Sequence, residues 1–134
     1  MKLVVDTNIL FSFFWKNSVT RDLITSSGFE LISPEIALKE LEKYSREISS
    51  KLRITKKEFD KEMQELKKII SFTKKREYNN LIKYAEEISP DKNDAEFFAL
   101  CLKFSCFLWS NDSILKNQNK IKVLSTSEII ESMF

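Results

Sequence analysis

The chain has 134 residues and a formal net charge of +2, with 43% hydrophobic and 31% charged residues. That balance suits one soluble domain with a sizeable core, not a disordered segment. It contains no His and a single Gly, which excludes imidazole catalysis and the Gly-rich loops that cradle phosphates or dinucleotides.

Lys2-Leu3-Val4-Val5 is an apolar run ending at Asp6, as a buried parallel strand does. Ile9 to Ser26 has helical character, and Gly28 reads as the helix stop. Phe29 to Ser33 reads as a second strand, with Ser33 as N-cap and Pro34 in the first turn of the next helix. There Ala37, Leu41, Tyr44 and Ile48 recur at helical spacing and form an apolar stripe. Thr55 and Glu58 form a capping box opening a helix to Ile70, and Ser71 to Thr73 make a very short third strand. Glu77 to Ile88 is expected to be helical, Ser89 to Lys92 a break, and Asn93 with Glu96 the opening of a buried helix from Ala95 to Phe104. Cys106 to Ser110 is a strand, Asp112 to Lys116 a short helix, Ile121 to Leu124 the last strand and Ser127 to Met133 the last helix.

Strands alternating with helices predict an α/β domain over residues 1–134, with a central parallel sheet of four to five short strands flanked by helices in three layers. The longest uncharged stretch, Thr7 to Trp15, is far shorter than the ~20 residues that span a membrane. An acid directly after the first apolar run leaves no signal peptide. Cys101 and Cys106 are too few for a disulfide framework and read as small core residues. A cytoplasmic location is expected.

Three of the six Asp stand where a strand ends or a buried helix begins: Asp6, Asp94 and Asp112. Ligands of open parallel sheets bind at the carboxyl ends of the strands, so Asp6 and Asp112 share one edge if their strands are neighbours. Each acid also suits helix capping. Their joint placement in a chain without His points to a metal site. Hard oxygen ligands favour Mg²⁺ or Mn²⁺ over Zn²⁺ or Cu²⁺.

Val5-Asp6-Thr7-Asn8, Asn93-Asp94-Ala95-Glu96-Phe97-Phe98-Ala99-Leu100 and Ser110-Asn111-Asp112, in this order and spacing, resemble the PIN-domain ribonucleases, in particular the small VapC-type toxins. The resemblance spans essentially the whole chain. It implies a Mg²⁺- or Mn²⁺-dependent endoribonuclease that cuts single-stranded RNA and leaves a 5′-phosphate, with Asp6, Asp94 and Asp112 as metal ligands. A further catalytic acid is implied in the helix after the second strand. Helical periodicity does not choose between Glu40 and Glu42, which flank Leu41 on opposite edges of the stripe; the family's spacing favours Glu40. Asn8 and Ser110 are implied to orient ligands or water, or are simply a turn amide and a strand-end hydroxyl. Asp91 resembles an accessory acid of some members.

Residues 51–83 hold eleven Lys or Arg against five acids. This basic stretch is a candidate for holding RNA phosphates through Lys67, Lys68, Lys74, Lys75 and Arg76, or is a solvated helix surface. Phe11, Phe13, Phe14 and Trp15 are more aromatic than one helix face needs. Part of that cluster is a candidate contact for a second subunit, as in a homodimer, or for an antitoxin. The alternative to catalysis is a PIN-like module that binds RNA or protein through the basic stretch. Haloacid-type phosphatases fit poorly, because Asn8 stands where they need a second Asp.

Overall fold

In the computed structural model, which describes residues 1–133, five parallel strands form one sheet in the order β3-β2-β1-β4-β5. The strands are β1 (Lys2–Val5), β2 (Glu30–Pro34), β3 (Ile70–Thr73), β4 (Phe107–Trp109) and β5 (Val123–Leu124). Leu3, Val4 and Val5 are wholly buried, as expected of a central parallel strand covered on both faces. The chain builds outward from β1 through β2 to β3, then returns to lay β4 against the other side of β1. The strand order therefore switches direction between β1 and β4. In such sheets the crevice outside the carboxyl ends at that switch is where ligands bind.

The helices are α1 (Thr7–Ser12), α2 (Val19–Ser26), α3 (Glu35–Lys43), α4 (Ser45–Leu52), α5 (Lys56–Ile69), α6 (Ile82–Ile88), α7 (Ala95–Phe104) and α8 (Thr126–Ser132). The α7 helix packs across β1, β2 and β4, and burial of Phe97 through Cys101 explains its apolar sequence on nearly every side. Trp109, wholly buried, donates from Nε1 to Thr126 Oγ1 at 3.0 Å and ties α8 to the end of β4. No helix among the described residues is long and apolar enough to cross a membrane.

Several elements differ from the sequence pattern. The expected helix from Ile9 to Ser26 is two helices. Ser18 caps the second by accepting from Arg21 N–H at 3.0 Å, while the Arg21 guanidinium donates to Phe13 O, packs 4.2 Å from the Phe13 ring and pairs with Glu62 at 2.9 Å. These contacts turn the chain where hydrophobicity alone would continue a helix. Gly28 does follow the stop, at a φ of 76° that favours glycine.

Ser33 does not cap a helix. It lies inside β2 and donates to Val5 O at 2.8 Å, stitching the ends of β1 and β2 together. The stripe from Ala37 to Ile48 is broken at Tyr44, which separates α3 from α4 and is 36% exposed while Ala37, Leu41 and Ile48 are buried. The third strand starts one residue early, at Ile70. Residues 75–77 and 79–81 are 3₁₀ turns ahead of α6. Asp91, not Asn93, caps the 3₁₀ turn Lys92–Asp94 by accepting from Asn93 N–H at 2.9 Å. The fourth and fifth strands are shorter than the apolar runs that hold them. Residues 113–116 are a 3₁₀ turn, and the last helix starts a residue early, behind a Ser125–Glu128 capping box. Cys101 is buried and Cys106 half-buried, both as free thiols.

Candidate metal centre

Asp6 is the first residue past β1, and the Val5–Trp109 register makes Ser110 its counterpart past β4. Asp6 N–H donates to Trp109 O at 3.1 Å, so strand pairing carries on into the loop and fixes both residues. The Asp6 carboxylate is only 8% exposed. Oδ1 accepts from Asn8 N–H at 3.3 Å, the N-cap bond of α1, and Oδ2 accepts from Ser110 Oγ–H at 2.6 Å. Ser110 Oγ in turn accepts from Asp112 N–H at 3.1 Å, and Asp112 caps the turn behind it through Ile114 N–H at 3.1 Å. A chain of hydrogen bonds thus sets two acids from distant segments at the β1–β4 crevice.

Asp94 enters the same crevice from the start of α7. It stands at the N-cap position of α7 but makes no capping bond with its side chain, so a capping hydrogen bond does not explain it. Its pKa is raised to about 6, first by burial and then by the charges of Asp6, Asp91, Asp112 and Glu40. Burial raises the Asp6 carboxyl as well, with Asp112 adding to the shift against the lowering effect of the Ser110 bond. Two carboxylates ~5 Å apart repel by about 3 kcal/mol at an effective dielectric near ~20. Such an arrangement persists by holding protons or by binding a cation.

Glu40 is half-buried on α3, its pKa raised by burial and by Asp6 and Glu96, with Lys43 opposing them. Glu42 is exposed and lines a different cleft, beside Lys56, Phe59 and Lys67. Of the two glutamates flanking Leu41, the structure sets Glu40 toward Asp6. Asp91 is exposed and caps its own turn, but its charge reaches Asp94. Asn8 is exposed at the mouth and borders a cleft together with Glu40.

The basic residues divide between the two edges of the sheet. Lys74, Lys75 and Arg76 follow the carboxyl end of β3, on the edge that carries Asp6. Lys67 and Lys68 lie in the last turn of α5, ahead of β3, and so at the opposite edge. All five are exposed.

Two features had no sequence signal. Glu96 accepts a 2.7 Å hydrogen bond from the buried Tyr78 hydroxyl and presents its charge to Glu40. Thr7, next to Asp6, is buried, and its Oγ1 finds no hydrogen-bond partner among the described residues. A buried hydroxyl without a partner is costly unless a guest satisfies it.

The donor set is all oxygen, from carboxylates and hydroxyls, which fits a hard divalent cation. Among the described residues no three acids converge tightly enough to make a ready-made metal cage.

The sequence matches the PIN domain family over residues 4–129. The chain belongs to the PIN-domain family. No curated protein matches it in sequence. Among solved structures, this PIN domain is similar to a chain in the crystal structure of VapBC2 from Rickettsia felis bound to a DNA fragment from their promoter. The TM-score is 0.65 at 15% sequence identity, over 93% of this chain and 98% of that one. At that identity the likeness is one of fold, and it matches the five-stranded parallel sheet and its flanking helices.

Proposed function

We propose that this PIN domain is a Mg²⁺- or Mn²⁺-dependent endoribonuclease. The observation that carries the reading is the placement of Asp6, Glu40, Asp94 and Asp112, from four separate segments, about the β1–β4 crevice, where burial and neighbouring carboxylates raise the pKa of Asp6, Glu40 and Asp94. A structural surface disperses like charges; a cation site gathers them.

In this reading Asp6, Asp94 and Asp112 hold the ion. When bound, such an ion supplies positive charge against the phosphodiester and makes water more acidic. Ser110 and the α1 backbone keep Asp6 aimed into the crevice. Glu40, whose raised pKa makes it a better proton acceptor, takes a proton from the attacking water at a carboxylate oxygen. Asn8 orients ligands at the mouth, and Asp91 tunes Asp94 from outside.

Lys74, Lys75 and Arg76 stand on the acid-bearing edge, where they would meet the phosphates of an RNA strand. A toxin role with an antitoxin partner is supported by the likeness to the VapBC2 chain, and a cytoplasmic location belongs to the same reading. The test is cleavage of single-stranded RNA with Mn²⁺, with chelator, and by Asp94→Asn and Asp112→Asn. The reading expects cleavage by the wild type with Mn²⁺ only. Metal-independent cleavage, or full activity in either variant, overturns it.

A further inference from the structure

A cleft of about 420 Å³ opens beside the acids and shares Asn8 and Glu40 with them. Its walls are aromatic: Phe11, Trp15 and Tyr44, with the buried Ile48 at its base. Trp15 and Tyr44 keep 41% and 36% of their surfaces open to solvent, although the other aromatic residues of the same cluster, Phe13 and Phe14, are buried. Phe11 meets Tyr44 edge to face at 6.2 Å and steadies the ring. Between these rings stand charged groups. Lys51 lines the cleft with Glu40 and Glu47, and outside that lining Lys43 Nζ lies 5.5 Å from the centre of the Tyr44 ring.

We propose that this cleft is a nucleobase subsite, in which one unpaired base of an RNA strand stacks on Tyr44 and Trp15 while Lys43 and Lys51 meet the adjoining phosphates. The proposal rests on the ribonuclease reading and adds where the strand lies. Exposed aromatic rings interleaved with cations are what single-stranded nucleic acid recognises, because every base has a π-face and every nucleotide a phosphate. The charge and amide groups on the walls suit the polar edge of a base better than an apolar side chain of a protein. Continuity through Asn8 and Glu40 puts the sugar–phosphate of a base held there at the acids. The fold supports this placement directly. The turn after α1 ties Trp15 N–H to Ser12 O at 3.2 Å, and the break between α3 and α4 turns Tyr44 outward.

Trp15 also supplies the readout. The chain has two Trp, and Trp109 is wholly buried, so a solvent-borne base reaches Trp15 alone. The experiment titrates the full chain, with chelator so that no strand is cut, with a single-stranded oligoribonucleotide of mixed sequence and with the same strand made abasic. Base-bearing RNA is expected to quench Trp15 emission and the abasic strand to leave it nearly unchanged. Tyr44→Leu keeps apolar volume but removes the ring, and should weaken binding about 5- to 150-fold, while Tyr44→Phe stays near wild type. Equal quenching by both strands, or unchanged affinity in Tyr44→Leu, overturns the subsite and leaves a protein segment as the natural occupant. Because no cleavage is read, the subsite and the ribonuclease reading fail separately. Quenching without any Mn²⁺-dependent cleavage keeps the subsite and removes the nuclease. Cleavage without base-dependent quenching does the reverse.

Discussion

The Ser110 hydroxyl donates a 2.6 Å hydrogen bond to Asp6 Oδ2, joining the first residue past β4 to the first past β1. The two residues lie 104 positions apart in sequence, and both are almost wholly buried. A buried carboxylate that loses a donor is left partly unsatisfied, which costs more than the net worth of an ordinary hydrogen bond. Ser110→Ala is therefore expected to lower stability by about 1–3 kcal/mol near neutral pH. Urea unfolding of the two proteins measures it. A change within experimental error would mean that the bond does not hold Asp6.

Glu40 and Glu42 separate by environment. Glu40 shares the field of Asp6 and Glu96, while Glu42 faces the cleft beside α5. Glu40→Gln should cut RNA hydrolysis by at least about 10²-fold, the usual worth of a positioned proton acceptor. Glu42→Gln should leave the rate near wild type. The reverse pattern in side-by-side rate measurements would place the acceptor on the wrong side of α3.

The sheet topology gives a prediction for the basic residues. Each phosphate contact to a single strand contributes a slope of about −0.7 in log affinity against log salt. Replacing Lys74, Lys75 and Arg76 by Gln should flatten the salt dependence of RNA binding. Replacing Lys67 and Lys68, at the other edge, should change it little. Equal effects from both sets would show that RNA follows overall charge and ignores the edge that holds the acids.

Much of this arrangement is legible in the sequence. The run Leu3-Val4-Val5 announces a central strand, and acids at the first residue past β1 and the third past β4 announce the ligand edge, because hydrophobic runs and chain punctuation are local signals. Interruptions imposed by distant groups are not local. Nothing near Phe13 reveals that the Arg21 guanidinium will donate to its carbonyl and break the helix. Ser33 has the composition of a cap, yet its hydroxyl bonds Val5 O across the sheet. Glu96 has the spacing of a capping box, yet the partner it finds is Tyr78. The basic stretch looks continuous in sequence because chain order hides that α5 and the residues after β3 end at opposite edges.

Protonation in the crevice sets a pH dependence for the metal-free protein. The Asp94 pKa is about 6 in the fold, against ~3.9 for an unfolded aspartate. Between these values the native state binds more protons than the unfolded chain, so stability falls as pH rises from roughly 4 to 6, then levels off. Asp94 is partly exposed, and screening reduces the effect to roughly 1 kcal/mol. Asp94→Asn reduces that slope, Asp6 and Glu40 keeping their own raised values, and should be the more stable protein in chelator at pH 7. Denaturant midpoints at about pH 4, the low end of the window, and about pH 7, above it, check the sign.

If Asp6, Asp94 and Asp112 act as one cation-binding unit, the thermal midpoint of the wild type and Asp94→Asn at pH 7, in chelator and in Mn²⁺, shows it most directly. Binding to the native state alone stabilises by mass action, about 2.7 kcal/mol at a concentration a hundredfold above Kd, which corresponds to several degrees for a domain of this size. The account predicts that Asp94→Asn melts higher than wild type in chelator. It further predicts that Mn²⁺ raises the wild type by several degrees and the variant much less. A wild type that does not respond to Mn²⁺, together with a variant that melts no higher in chelator, would contradict it.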